Sequence, residues 1–385
     1  MFWPKIGPWL ELGRMLKEDP QWAEKVRTKE GIVELIKTQK SNSAVYSYAI
    51  DEQGKILNQE ELTTINKNIQ YFTGTTVQVA VLAAYAQEVT DKTIDPTEEI
   101  KIREWEKRYL PVSDRGSHIV SVQALGIDAD DYGYAKNPSV VVTWDQIVQS
   151  MVRYSDKSAT DFLVEKMGPE KIDNMMKKSG LNIPYHSLLF AGTELSLDNH
   201  DSPLTEESLS DYLALPFIDR KNLVLEKHKQ FIDNENWRND EIDSRKGLRG
   251  RQVYPKLRRK VVHNVGPRAS AEELNTLMTN IVVGNFPTKE ANKIVKRHLE
   301  WQIEDPSIAE EYEVLALKGG TELGILSFTL YAKSKQTKQT RVSTVIFNNM
   351  PISGWLASQQ NEGINDFIKG LSFGDPGTFK ILNTY

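Results

Sequence analysis

The sequence predicts an α+β fold in which an antiparallel sheet takes its strands from both ends of the chain and the middle is helical. Three observations carry that expectation. Early in the chain, Ser43-Ala44-Val45-Tyr46-Ser47-Tyr48-Ala49-Ile50 is rich in β-branched and aromatic residues, and Asp51-Glu52-Gln53-Gly54-Lys55 follows as a hairpin turn signal. Near the end, residues 312–317, 324–333 and 341–347 alternate or run apolar at strand length, with a turn over 334–340. Between them most apolar residues recur at helical spacing, beginning with an alanine-rich segment over 75–89 that is apolar on every side, the pattern of a buried central helix.

The remaining elements follow in order. Residues 10–40 read as amphipathic helices with charged outer faces, and Ile56-Leu57-Asn58 begins the return strand of the hairpin. Residues 94–131 mix charge and glycine and read as irregular with short helices. Val140-Val141-Val142-Thr143-Trp144-Asp145 leads into a helix through Met151, with Thr143 as N-cap and Gln146 three residues on. After the polar turn Tyr154-Ser155-Asp156-Lys157, a further helix covers 158–167. Residues 181–266 read as loop-rich and polar, with one helical stretch over 206–215; a length of that kind marks function or insertion. Helical spacing returns over 270–283 and 289–301, and one last helix covers 355–371. No internal repeat or low-complexity tract is visible.

Composition limits the function classes. The chain has 385 residues, 39% hydrophobic and 26% charged, which suits one large or two modest globular domains that need no disulfide or metal for stability. There is no cysteine, so thiol nucleophiles, Cys-based zinc sites and redox motifs are excluded while the compartment stays open. A net charge of −5 argues against nucleic acid binding by the whole surface. Charges and prolines in the first eleven residues interrupt any signal-like apolar stretch, and no apolar run is long enough to cross a bilayer. His118, His186, His200, His228, His263 and His298 form no metal-ligand spacing with carboxylates, so neither a metal nor a cofactor is expected.

The residues at the joints of this pattern resemble the class A β-lactamases and related penicillin-binding proteins, whose signatures are S-x-x-K, S-D-N and K-T-G. Phe72-Thr73-Gly74-Thr75-Thr76-Val77-Gln78-Val79 stands where the family has its serine, two residues and lysine, so Thr75 replaces the serine and Gln78 the lysine. Ser155-Asp156-Lys157 stands for the second signature, with Lys157 in place of asparagine. Lys318-Gly319-Gly320-Thr321 stands for the third, with Gly319 where the family has Thr or Ser. The resemblance covers roughly residues 32–372, and its strength lies in order, separation and element type rather than in any single motif.

The resemblance implies a two-lobed domain. Residues 1–31 would be a helical extension, 32–70 and 302–385 an α/β lobe, and 71–301 a helical lobe with a polar, basic insertion around 216–266; a small-molecule or peptide ligand would sit in the cleft between the lobes. It implies that a hydroxyl at position 75 attacks an amide or ester carbonyl, that Ser155 passes protons to the leaving nitrogen, and that Lys318 holds a substrate carboxylate, with Asp156, Gly319, Gly320 and Thr321 lining the ligand. Glu194, in Phe190-Ala191-Gly192-Thr193-Glu194-Leu195-Ser196, is the loose counterpart of the deacylating glutamate; an exposed loop carboxylate is the plain alternative. A member acting on the cell wall would be exported; otherwise the chain would be cytoplasmic.

The substitutions change the chemistry expected. Thr75 keeps a hydroxyl, but a secondary, β-branched one with a stiff χ1; it serves either as a retained functional group or merely as a cap of the helix. Gln78 carries a carboxamide that neither accepts a proton near neutral pH nor supplies charge. Losing a positioned base costs about 10²- to 10⁴-fold in rate. The expectation is therefore a catalytically impaired domain that binds a cell-wall peptide, a β-lactam-like ligand or a partner. Two alternatives remain: a working hydrolase whose relay runs through Lys157 or Lys318, and a purely structural domain. Last, the cation-dense run over 245–260, from Arg245 to Lys260, is either a solvated insertion or a site for an anionic polymer.

Overall fold

The computed structural model describes residues 3–57, 62–246 and 253–383. Two compact units are formed, one from Leu10–Ala83, Lys177–Asn182 and Arg268–Tyr385, the other from Met1–Trp9, Ala84–Met176 and Ile183–Pro267.

The first unit holds the sheet. Strand Ser43–Ile50 lies between Thr63–Ile65 and Thr340–Phe347, and Ile325–Ser334 and Tyr312–Glu322 complete five antiparallel strands. Both chain ends therefore contribute. Because side chains alternate across a strand, Val45 joins the core of one face while Tyr46 and Tyr48 point to the other. On Val45's face, Leu330, Val345 and Phe347 pack with Ile32, Val33 and Ile36 of helix Lys29–Thr38 and with Phe367 and Leu371 of helix Gly363–Phe373. On the opposite face, helix Ala271–Val282 is fixed by Asn275 Nδ2 donating to Tyr46 O at 2.9 Å and by a 2.9 Å bond between Tyr48 and Thr279 hydroxyls. Its N-terminus carries the complete Ser270/Glu273 capping box.

Three sequence expectations are corrected here. The turn forms at Asp51, with Gly54 at φ 83° donating to Asp51 O, but Ile56 makes only an isolated bridge to Ile50, and the next described strand is Thr63–Ile65. Asn58, the third residue of the expected return strand Ile56-Leu57-Asn58, lies outside the described residues. The expected helix over 355–371 is two helices, Ile352–Ser358 and Gly363–Phe373. They break at the polar residues 359–362, and a Cβ at Gly363 would meet Val26 O at 2.4 Å, so the second helix starts against the N-terminal segment. The apolar segment after Gly74 opens as a 3-10 turn, Gly74–Val77, before the α-helix Gln78–Thr90. Thr76 explains this: both its amide and its hydroxyl bond to Thr73 O, the latter at 2.9 Å, which tightens the first turn.

The second unit is helical. Helix Trp144–Tyr154 begins on the Thr143/Gln146 capping box that the sequence predicts. The region expected to be loop-rich, 181–266, is instead a run of helices: Phe190–Leu197, Glu206–Ala214, Phe217–Asp233, Glu235–Arg245 and Pro255–Asn264. Their polarity hid them. Helix Phe217–Asp233 buries only Val224, His228 and Phe231, a stripe one residue wide that includes a histidine. Two small cores hold these helices, one around Leu195, Phe231 and Trp237, the other around Leu209, Tyr212 and Leu257.

Candidate functional site

The motif residues fall into two groups. Thr75, Gln78, Lys318, Gly319, Gly320 and Thr321 belong to the sheet unit; Ser155, Asp156, Lys157 and Glu194 belong to the helical unit.

In the sheet unit, the 3-10 turn lies against strand Tyr312–Glu322. Gly320 permits the approach: a Cβ there would stand 2.4 Å from Thr73 O, 2.8 Å from Ser327 Oγ and 2.9 Å from Thr75 N. Ser327, paired opposite Gly320 in the sheet, donates to Thr73 O at 2.8 Å and locks the turn to the strand. Gly319 is less constrained, since a Cβ there would find its nearest neighbour, Phe328, at 3.5 Å. Thr75 Oγ1 donates to Gly319 O at 3.2 Å, so the hydroxyl spends its proton on a backbone carbonyl of the strand. Lys318 Nζ reaches the same carbonyl at 3.4 Å. This lysine is only 2% exposed, and burial pushes its ammonium down to about 7. A lysine of this kind is partly neutral at physiological pH, unlike a surface one. Gln78, on the first turn of the helix, is fully buried and uncharged. Thr321 Oγ1 donates to Ile325 O at 3.3 Å and accepts from Trp355 Nε1 at 3.2 Å, which ties it into the sheet end.

In the helical unit, Ser155 ends helix Trp144–Tyr154 in the left-handed conformation, φ 60° and ψ 32°, which costs a non-glycine residue of order 1 kcal/mol. Asp156, fully buried, caps the helix Lys157–Met167 by accepting from Ala159 N at 3.0 Å. It also accepts from Ser158 Oγ at 2.6 Å and meets His118 Nδ1 at 2.9 Å. Trp105 Nε1 donates to Ser158 Oγ at 2.9 Å, and Tyr109 stacks on the imidazole with ring centroids 4.1 Å apart. Burial would raise the Asp156 carboxyl and lower the imidazole, but the ion pair outweighs it, holding the acid below and the base above their ordinary ranges. The arrangement is a locked support under the Ser155 turn. His118 and Trp105 carried no sequence signal, because they lie 38 and 53 positions from the Asp156 and Ser158 that they meet and share no motif with them.

Lys157 Nζ donates to Ser113 O at 3.0 Å and stands 5.7 Å over the Phe190 ring. Glu194 lies on helix Phe190–Leu197, whose first amides, Phe190 N and Ala191 N, are held by Asp161 at 2.6 and 2.8 Å. Burial pushes the Asp161 carboxyl up to about 7. Glu194 is not an exposed loop residue: it bonds to Arg258 and stands 3.6 Å from Arg245. Burial alone would raise it, yet the two guanidiniums bring it down to about 2. A carboxylate so stabilised is a weak base. In the cation-dense run, residues 247–252 lie outside the described residues; Arg245 pairs with Glu241 at 2.6 Å, Lys246 with Asp243 at 3.3 Å and Lys260 with Glu206 at 2.6 Å. Among the described residues no group of three or more His, Asp or Glu is arranged to hold a metal ion, and no helix is long and apolar enough to cross a membrane.

A family model described as the beta-lactamase enzyme family matches residues 28–327. No curated protein matches. Among solved structures, a beta-lactamase from Sphaerobacter thermophilus is 13% identical with a TM-score of 0.49, covering 90% of this chain and 98% of its own. A class A beta-lactamase from Mycobacterium abscessus is 10% identical with a TM-score of 0.47, covering 89% of this chain and all of its own (100%). An acyl-enzyme complex of PBP-A with penicillin G is 12% identical with a TM-score of 0.47, covering 89% and 96%.

Proposed function

This chain belongs to the beta-lactamase enzyme family, and on that premise we propose that it binds a cell-wall peptide or β-lactam-like ligand while its acylation chemistry is impaired. One observation carries the reading: a neutral carboxamide, Gln78, is fully buried where the family signature has lysine. Acylation needs the hydroxyl proton removed as the oxygen attacks, and the nucleophile is activated by an adjacent base or a lowered pKa. Gln78 supplies neither. Thr75 adds a second handicap, since its hydroxyl donates to Gly319 O, where no proton is accepted. Binding does not require that proton transfer. Lys318 is retained to hold a ligand carboxylate electrostatically, and the Ser155 turn remains braced by Asp156 and His118.

A second reading rests on Lys318. A buried amine near neutral pKa that shares the Gly319 carbonyl with Thr75 is suited to a slow relay, taking the threonine proton once a ligand displaces that carbonyl contact. Nitrocefin turnover by the wild type, Thr75→Ala and Lys318→Met separates the two. The binding reading expects wild-type turnover no faster than Thr75→Ala, together with saturable binding of a fluorescent penicillin. Turnover lost in both variants, and rising with pH through about 7, supports the relay. Absence of any saturable binding contradicts both.

A further inference from the structure

We infer that Trp355 is a positioning residue for the Thr321 end of the motif strand, and that residues 18–26, which precede the matched family region, are the support that keeps Trp355 in place. The consequence for ligand affinity rests on the binding reading above; the positioning does not.

Side chains alternate along strand Tyr312–Glu322, so Thr321 lies on the face opposite to Lys318 and Gly320, toward the core that contains its pairing partner Leu326 and Trp355. An indole N–H buried among such apolar groups needs an acceptor. Trp355, 6% exposed, finds two: Thr321 Oγ1 at 3.2 Å and Ile325 O at 3.1 Å. Thr321 Oγ1 in turn donates to Ile325 O at 3.3 Å, so one indole ties together both strands of the hairpin where they leave the sheet. Met350 N, donating to Gly324 O at 2.7 Å, holds the tip of the same hairpin. The strand backbone at this point borders the turn that carries Thr75: a Cβ at Gly74 would stand 3.5 Å from Thr321 N. Whatever fixes Thr321 therefore fixes the spacing between strand and turn.

Trp355 sits on helix Ile352–Ser358, whose seven residues are too few for a helix to persist on its own. The N-terminal segment supplies the missing support. Ser353 Oγ donates to Glu18 O at 2.8 Å, and Gly354 admits the buried Trp22, since a Cβ at that glycine would stand 2.7 Å from Trp22 Cβ. Asp19, between these two contacts, has φ 47°, a left-handed conformation that persists in a non-glycine residue only where its surroundings hold it. The family match covers residues 28–327, so the segment and the helix it grips both lie beyond it. The clamp thus joins two stretches outside the matched region to a motif residue inside it.

The test uses the full chain with Trp355→Phe, Thr321→Val, the two combined, and Gly354→Ala. Deuterium uptake over residues 321–326 reports the positioning: Trp355→Phe and Thr321→Val should each raise it by about fivefold, the effect of one net hydrogen bond, with helix Ala271–Val282 unchanged. Because both changes act on one contact, the combined variant should show far less than the product of the two effects. Unchanged uptake in the single variants, or a fully multiplicative effect in the pair, overturns the positioning; Thr321→Val, which leaves the indole in the core, decides it alone if Trp355→Phe does not fold. Gly354→Ala should raise uptake at 18–26 and at 321–326 together, and a rise confined to 18–26 overturns the supporting role of the segment. Fluorescent-penicillin titration reports the consequence: Trp355→Phe should weaken binding by about fivefold, whereas a tryptophan that only fills the core would lower the melting temperature and leave affinity unchanged. Wild-type affinity in that variant overturns the link to the ligand. A wild type that binds no probe contradicts the binding reading, and the exchange results then decide the positioning.

Discussion

Replacing Lys318 by methionine tests the electrostatics of the sheet unit, because the side chain keeps an unbranched apolar stem, one heavy atom shorter, and loses its charge. Burial takes the ammonium from its ordinary 10.5 to about 7, a gap equivalent to about 5 kcal/mol of preference for the neutral amine. Below pH 7 the folded and unfolded chains both carry the proton, and the full cost of burying charge opposes folding. Between pH 7 and 10.5 only the unfolded chain is protonated, so this group makes the protein more stable by about 1.4 kcal/mol for each pH unit. Above 10.5 the cost is gone. Methionine removes it at every pH and also removes the Nζ bond to Gly319 O, worth about 1 kcal/mol. Lys318→Met should therefore stabilise by about 2–4 kcal/mol near pH 6 and be neutral or slightly destabilising near pH 10. Urea unfolding followed by tryptophan fluorescence at both pH values measures it. An equal effect at the two, or a greater loss near pH 6, refutes the claim that Lys318 is a costly buried cation.

Two further outcomes follow from the geometry. Gly320→Ala should destabilise by about 2–4 kcal/mol, because its methyl would collide with Thr73 O and Thr75 N; Gly319→Ala, with space to 3.5 Å, should cost under about 1 kcal/mol, and thermal melts of the pair should show the contrast. Glu194, largely buried and brought to about 2, lends stability that is complete above its ordinary 4.5 and lost as pH falls toward 2. Glu194→Gln should flatten that acid limb, worth about 3 kcal/mol, and cost about 3–5 kcal/mol near neutrality by leaving Arg245 and Arg258 underpaired; an acid limb identical to wild type in denaturation curves counts against the ion network.

The parts of the fold legible in the sequence are those with strong local signals. Val45, Tyr46 and Tyr48 alternate as a strand must, Thr143 and Gln146 announce a helix start, and the apolar run after Gly74 has the pattern of a buried helix. The helices over 190–264 were hidden because their buried stripes are narrow and polar: His228 sits in one, and Glu241, Arg245 and Glu194 form a buried ion network in place of an apolar face. Thr75, Gln78, Lys318 and Ser155 were legible as a set because motif order survives substitution. Their supports were not. Ser327 is one of several polar residues on its strand, and its importance depends on Gly320 opposite it, while His118 reaches Asp156 from a separate helix. Such pairings are created by tertiary packing and have no local period to betray them.

Intact-mass spectrometry after incubation with penicillin addresses the chemistry of position 78 most directly, using wild type and the Thr75→Ser/Gln78→Lys pair, each shown to be folded by circular dichroism. The account predicts no acyl adduct on the wild type within hours and a covalent adduct on the restored pair, localised to residue 75. Rapid stoichiometric acylation of wild-type Thr75 would contradict it.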